Sequence, residues 1–210
     1  MQGRRSRARL GSVLAVALGV VLSPSRVDAF KDVEELFGRG RLNSGLSVGY
    51  GHGFERASDP QDDVRMLAVI PRTGIGLTDP FGGEAWYRGS LDLSIEPQLL
   101  GNFRRGGGFA GGLALLLRYH LLSEQLGGRR LIPFVSGGGG VIGVDFDGRN
   151  QDDGFNFILQ AGVGAHWMLT PTLALTLDGR WHHISNAGLR SPNQGIDDLL
   201  LLTGFTVFLP

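Results

Sequence analysis

Phe155-Asn-Phe-Ile-Leu-Gln-Ala-Gly-Val-Gly-Ala-His-Trp167 is an alternating stretch. In an extended chain, Phe155, Phe157, Leu159, Ala161, Val163, Ala165 and Trp167 share one side, and Asn156, Gln160 and His166 share the other. Successive side chains of a β-strand point to opposite faces, so this period of two predicts a strand with one apolar and one polar face. The pattern recurs on both sides. Upstream, Leu91, Leu93, Ile95 and Leu99 oppose Ser90, Asp92, Ser94, Glu96 and Gln98. Downstream, Leu173, Leu175, Leu177 and Trp181 oppose Thr176, Asp178, Arg180 and His182.

Eight runs of strand length can be read, at 42–53, 64–77, 86–100, 108–121, 130–145, 154–168, 172–185 and 197–209, separated by clusters of Gly, Asp, Asn and Pro. A short amphipathic helix is expected over 31–37. No apolar run after the N-terminal region reaches about 18 residues, so no membrane-spanning helix is expected. Each strand run supplies the roughly 9–11 tilted residues that a membrane strand needs. The expected fold is all-β: an eight-stranded antiparallel transmembrane β-barrel, with apolar residues toward lipid and polar ones filling a narrow interior. A soluble lipocalin-like barrel is the competing architecture. Gly106–Gly108 and Gly137–Gly140 lack the strand–loop–helix context of a phosphate-binding loop, and no Gly-Lys-Ser/Thr follows them. They read as relief of crowding inside a small curved barrel.

The N-terminus reads as a secretory signal. Arg4, Arg5, Arg7 and Arg9 form a basic region, Leu10–Leu22 an apolar one, and Val27-Asp28-Ala29 fits a small-x-small cleavage site. The expected division is a signal peptide over 1–29 and one barrel domain over 30–210. Removing the signal takes five Arg and one Asp from 20 basic and 20 acidic residues, leaving 15 against 19, a net charge of −4. That balance argues against a nucleic-acid partner, which demands a basic surface. Cysteine is absent. An exported chain without disulfides is stabilised by its own packing or by a membrane.

The stretch Trp181-His-His-Ile-Ser-Asn-Ala-Gly-Leu-Arg-Ser-Pro-Asn-Gln-Gly-Ile-Asp197 carries the candidate chemistry. His183 and Ser185 are two apart on a strand, hence neighbours on one face, as a general base and a hydroxyl nucleophile must be. If the turn-rich segment after them is a hairpin loop, Asp197 returns beside them as the carboxylate that orients the imidazole. Parity places His183 and Ser185 with Leu177 and Trp181 on the lipid-facing side. Polar groups facing lipid are costly, which favours a functional explanation. His182 and Asp198 point inward by the same count, so a metal site joining His182, His183 and Asp178 is not expected. With both termini periplasmic, the site lies at the extracellular end. The external loops there contain Arg104, Arg105, Arg149 and Arg190, which could pair with the phosphates of a lipid headgroup or serve as solvated loop charge. Asp147, Asp152 and Asp153 in the same loops either recruit divalent cations or keep the loops soluble.

His183-Ile-Ser185-Asn186-Ala187, followed by Asn193-x-Gly195 and an acid at 197, resembles the lipid A 3-O-deacylases of the PagL type. The resemblance extends weakly over the whole barrel through the strand count. It implies an eight-stranded outer-membrane esterase that removes the ester-linked 3-O acyl chain of lipid A in lipopolysaccharide. It maps a Ser-His-acid triad onto His183, Ser185 and Asp197. It also maps oxyanion stabilisation onto Asn193 and the backbone N–H of Gly188, with Asn186 beside them. The acid here is Asp where Glu is expected in the best-known members. This chemistry requires no cofactor and no metal. The implied partners are lipid A and the outer membrane, and a homodimer is compatible with them. Two other readings stay open: a non-catalytic barrel acting as an anchor or adhesion protein, and a phospholipase of similar architecture.

Overall fold

The alternating runs form strands because each gives the backbone one face to bury and one to expose. The computed structural model describes residues 33–53, 64–103, 107–126, 130–146, 153–191, 193 and 195–209. The expected signal peptide and Arg104, Arg105 and Arg149 lie outside the described residues. A 3-10 turn at Val33–Phe37 precedes β1 (Leu42–Gly53), β2 (Arg65–Gly76), β3 (Gly89–Asn102), β4 (Gly108–Leu121), β5 (Leu131–Phe146), β6 (Gly154–Met168), β7 (Leu173–Ser185) and β8 (Ile196–Leu209). Every neighbouring pair is antiparallel, and β8 returns to β1 through the pairing of Leu42 with Leu209 up to Gly53 with Asp198. Closure leaves no free sheet edge, so all strands are paired on both sides.

The eight expected runs coincide with these strands, with one informative displacement. The third starts at Gly89 and not at 86. Trp86 and Tyr87 have strand-like composition but belong to a turn. Gly82 and Gly83 adopt φ of +99° and +57°. The N–H of Ala85 donates to Gly82 O and that of Arg88 to Ala85 O. Aromatic composition therefore reads as strand where local hydrogen bonds impose a turn.

The outward face is apolar over most of its height: Leu46, Val48, Leu67, Ile95, Leu99, Leu113, Leu115, Leu117, Val163, Leu177, Leu201 and Phe205 are all exposed. An apolar band of this extent is covered by lipid and not by water, which excludes the soluble barrel. No helix among the described residues is long and apolar enough to cross a membrane; the strands do so.

The interior is layered. At mid-height, Glu96, Arg118, Asp178 and Arg180 are buried together. Arg180 donates from Nε (2.9 Å) and Nη2 (2.6 Å) to Asp178 Oδ2. It also donates to Glu96, which accepts from Arg118 Nη2 at 3.3 Å. Charges withdrawn from water are tolerated when, as here, opposite charges are paired with one another. Gly162 makes room for this layer, since a Cβ there would stand 2.8 Å from Arg180 Cγ. At the end where β1 begins and β8 finishes, Val33 and Phe37 of the 3-10 turn pack with Leu122, Ile132, Met168, Ala174 and Phe208. The opposite half is also apolar inside, with Met66, Ile70, Leu100, Ile142, Ile158, Ile184 and Leu200 in one cluster. A uniformly polar interior is therefore not what forms. In that half the strands are apolar on both faces, as in Phe157-Ile-Leu159 and Leu199-Leu-Leu-Leu202, so inward positions fill with hydrocarbon.

Candidate active site

The candidate residues sit on β7, β8 and the loop joining them, at the end of the barrel opposite the start of β1 and the finish of β8. The β7–β8 register pairs His183 with Asp197 and Ile184 with Ile196. Directly opposed residues bring their side chains within reach of each other. His183 Nδ1 lies 2.9 Å from Asp197 Oδ1, and His183 Nε2 lies 3.1 Å from Ser185 Oγ. The three side chains thus form one hydrogen-bonded chain on the outward face. The side chains of His183 and Asp197 are 24% and 16% exposed, so the site is reached from the membrane side. On β6, Leu159 stands opposite His183 and Phe157 opposite Ser185, so the surroundings are apolar.

The imidazole is held on further sides. The ring of Trp181 stacks on it, with centroids 5.9 Å apart and planes 18° apart. Gly195 closes against its Cε1, where a Cβ would stand at 2.9 Å. Gly195 also has φ +77°, so a side chain there is excluded twice over. Neither contact is legible as a catalytic element from the sequence. The signals that were available are the two-residue spacing of Trp181 and His183 and the Asn-x-Gly segment before Asp197.

The loop is organised by Asn186, which is buried. Its N–H donates to Asn193 Oδ1 (2.9 Å), its Nδ2 to Arg190 O (3.1 Å), and its Oδ1 accepts from the N–H of Gly188 (3.0 Å). Its carbonyl accepts from the N–H of Leu189 at 3.1 Å, closing a turn with Ala187 at φ +54° and Gly188 at φ +79°. Two successive positive φ values are the mark of a type I′ turn. An alanine there is strained, and such strain persists where the surroundings over-determine it. The Gly188 N–H is therefore committed to Asn186 in this structure. Asn193 has its amide orientation set by the bond its oxygen accepts. Arg190 is exposed and reaches back to Asp153 O at 3.5 Å, joining this loop to the β5–β6 connection.

His182 and Asp198 point inward, as parity predicts. His182 Nε2 meets Gln160 Oε1 at 3.0 Å, and its Nδ1 lies 3.7 Å from Asp198 Oδ2. Among the described residues, no group of three or more His, Cys, Asp or Glu is arranged to hold a metal ion. A cavity of about 720 Å³ lies at the far end of the barrel, lined by Glu34, Arg39, Arg41, Asp79 and Arg88 among others. It contains none of the candidate residues. An apolar groove of about 590 Å³ lies on the outward face of β1, β2, β7 and β8, bordered by Val48, Leu67, Leu177 and Leu201.

The profile of the lipid A 3-O-deacylase (PagL) family matches residues 73–206. No curated protein matches the chain. Among solved structures, the crystal structure of the outer membrane enzyme PagL is similar with a TM-score of 0.56 and 17% identity, over 79% of this chain and 98% of that one. The crystal structure of Neisserial surface protein A (NspA) is similar with a TM-score of 0.52 and 12% identity, over 79% of this chain and 96% of that one. At such identities the likeness concerns the fold alone, and a fold hosts many functions.

Proposed function

This chain belongs to the lipid A 3-O-deacylase family, and from that premise we propose that it is a serine esterase that removes the 3-O acyl chain of lipid A. It is a protein of the bacterial outer membrane. An even strand count starts β1 and finishes β8 on the periplasmic side in barrels of this kind, so Ser185, His183 and Asp197 are proposed to lie at the extracellular end, beside the leaflet that carries lipopolysaccharide. The observation that carries the reading is the chain of contacts from Asp197 through His183 to Ser185, at 2.9 and 3.1 Å, on the outward face.

In the proposed mechanism His183 Nε2 takes the hydroxyl proton as Ser185 Oγ attacks the ester carbonyl. Asp197 holds the Nδ1–H tautomer and stabilises the imidazolium that forms. The tetrahedral oxyanion is met by the Asn193 amide. The Gly188 N–H joins it once it leaves Asn186 Oδ1. Collapse expels the sugar alcohol, which receives the proton from His183, and leaves the acyl group on Ser185. Water, deprotonated by His183, then releases the fatty acid and regenerates the serine. The apolar face around Phe157, Leu159 and Trp181 accommodates the chain being cleaved. Arg190, with Arg104, Arg105 and Arg149 of the neighbouring loops, is proposed to pair with headgroup phosphates. No cofactor enters this scheme, and a homodimer is not required by it.

The test is mass spectrometry of lipid A from cells expressing the wild type or Ser185→Ala. Loss of one ester-linked hydroxyacyl chain in the first and not the second is expected. Intact lipid A with cleaved glycerophospholipid would favour a phospholipase. Neither change, with a folded barrel present, would favour a non-catalytic surface barrel.

A further inference from the structure

We propose that Trp181 is a positioning residue for the general base, its indole face stabilising the imidazolium that His183 becomes during turnover. The inference rests on the serine-esterase reading above. Trp181 and His183 are two apart on β7 and share its outward face. Their rings stack with centroids 5.9 Å apart and planes 18° apart. An aromatic face attracts a cation held within about 6 Å of its centroid, and Trp does so most strongly. The distance here is at the outer end of that range.

The surroundings make this contact matter. A proton arriving at His183 creates a positive charge beside Leu159 and Phe157, on a face covered by lipid. Water is scarce there to solvate the new charge. Asp197 neutralises it from the Nδ1 side. Ser185 and Gly195 occupy the ring at Nε2 and Cε1. Among the described residues, the indole stacked on the ring is a further contact that responds to its charge. Elsewhere on the lipid-facing surface any apolar side chain serves; beside His183 only an aromatic one adds this attraction. A neutral imidazole gains little from it. The effect therefore belongs to the transition state and appears in kcat, not KM.

The experiment compares Trp181→Phe, Trp181→Leu and His183→Ala with the wild-type barrel in detergent micelles. The substrates are lipid A and a short-chain p-nitrophenyl ester, and folding is checked by heat-modifiable migration. Trp181→Leu is expected to lower kcat by about two- to fivefold on both substrates, with KM little changed, while Trp181→Phe retains most of the rate. A raised KM for lipid A alone, with kcat unchanged, would make Trp181 only a wall for the acyl chain and overturn the proposal. Equal losses in the Phe and Leu variants would also overturn it. A second readout does not depend on activity. In a Trp86→Phe/Trp167→Phe background, Trp181 emission in acid should rise on His183→Ala, because the stacked imidazolium quenches the indole. No change in emission would remove the contact, whatever the rates. A quench in the Trp86→Phe/Trp167→Phe background together with a wild-type barrel that cleaves no ester would instead sink the esterase reading, and the catalytic role of Trp181 with it.

Discussion

Two His–Asp pairs stand on adjacent rungs of the same pair of strands. His183 opposes Asp197, and His182 opposes Asp198. Their residue types are identical and their positions differ by one, yet their surroundings have little in common. The outer pair is in contact at 2.9 Å and partly exposed to lipid, with Ser185 at the far nitrogen. The inner pair is 3.7 Å apart and fully buried, with Gln160 at the far nitrogen. The next inward position after His182 is Ile184, where the outer face has Ser185. A His–Asp pair in a barrel wall is thus a potential catalytic element on one face and a structural one on the other. What separates them is the presence of a hydroxyl and of access.

The comparison can be broken most decisively at the outer face. Ser185→Ala and His183→Ala are each expected to reduce lipid A deacylation to the assay floor, by up to about a millionfold, because nucleophile and base act as a unit. Both variants should still migrate as folded barrels, since neither residue belongs to the buried interior. Wild-type rates in either one, measured on purified protein, would end the esterase reading.

Asp197→Ala should cost less, on the order of ten-thousandfold in kcat, because nucleophile, base and oxyanion donor remain. Asp197→Glu is expected to retain activity, since the longer carboxylate starts from the same rung opposite His183. Deacylation rates at matched folded protein measure both. Asn193→Ala follows, with a loss of about a hundred- to a thousandfold in kcat if its amide meets the oxyanion. Part of that loss is indirect, because Asn193 also accepts the N–H of Asn186. Asn193→Asp keeps the acceptor for the Asn186 N–H but removes the donor and adds a negative charge beside the oxyanion, so it should be at least as inactive as Asn193→Ala.

The smallest effect on chemistry is expected inside. His182→Ala and Asp198→Ala should leave deacylation within severalfold of wild type. His182→Ala should destabilise the barrel by about 1–3 kcal/mol, from the lost hydrogen bond to Gln160 and the cavity left by the buried ring, read as an earlier urea unfolding midpoint. Activity surviving in Asp197→Ala while vanishing in Asp198→Ala would transfer the acid to the inner rung and invert the comparison.

Much of this arrangement was legible in the chain. The period of two in β3, β6 and β7 separates lipid-facing from interior residues, and it already placed His182 and Asp198 inside. Other features were not. Trp86 and Tyr87 imitate a strand because composition does not reveal the turn that Gly82 and Gly83 impose. The apolar half of the interior was hidden because its strands are apolar on both faces. The hydrogen bond from the Gly188 N–H to Asn186 Oδ1 was not legible either, being an outcome of the loop's whole hydrogen-bond pattern.

By itself the sequence determined the exported, cysteine-free, eight-strand plan and the shared face of His183 and Ser185. These follow from short-range periodicity, which any extended backbone obeys. Only the tertiary structure decided that Asp197 stands directly opposite His183 at hydrogen-bond distance, that Trp181 stacks on its ring, and that Asn186 ties the loop. The first depends on strand register across residues fourteen apart, and the other two depend on side-chain rotamers and loop hydrogen bonds that a period of two does not encode. A shift of one residue in register would have exchanged the two faces, and that choice is made by closure of the whole barrel.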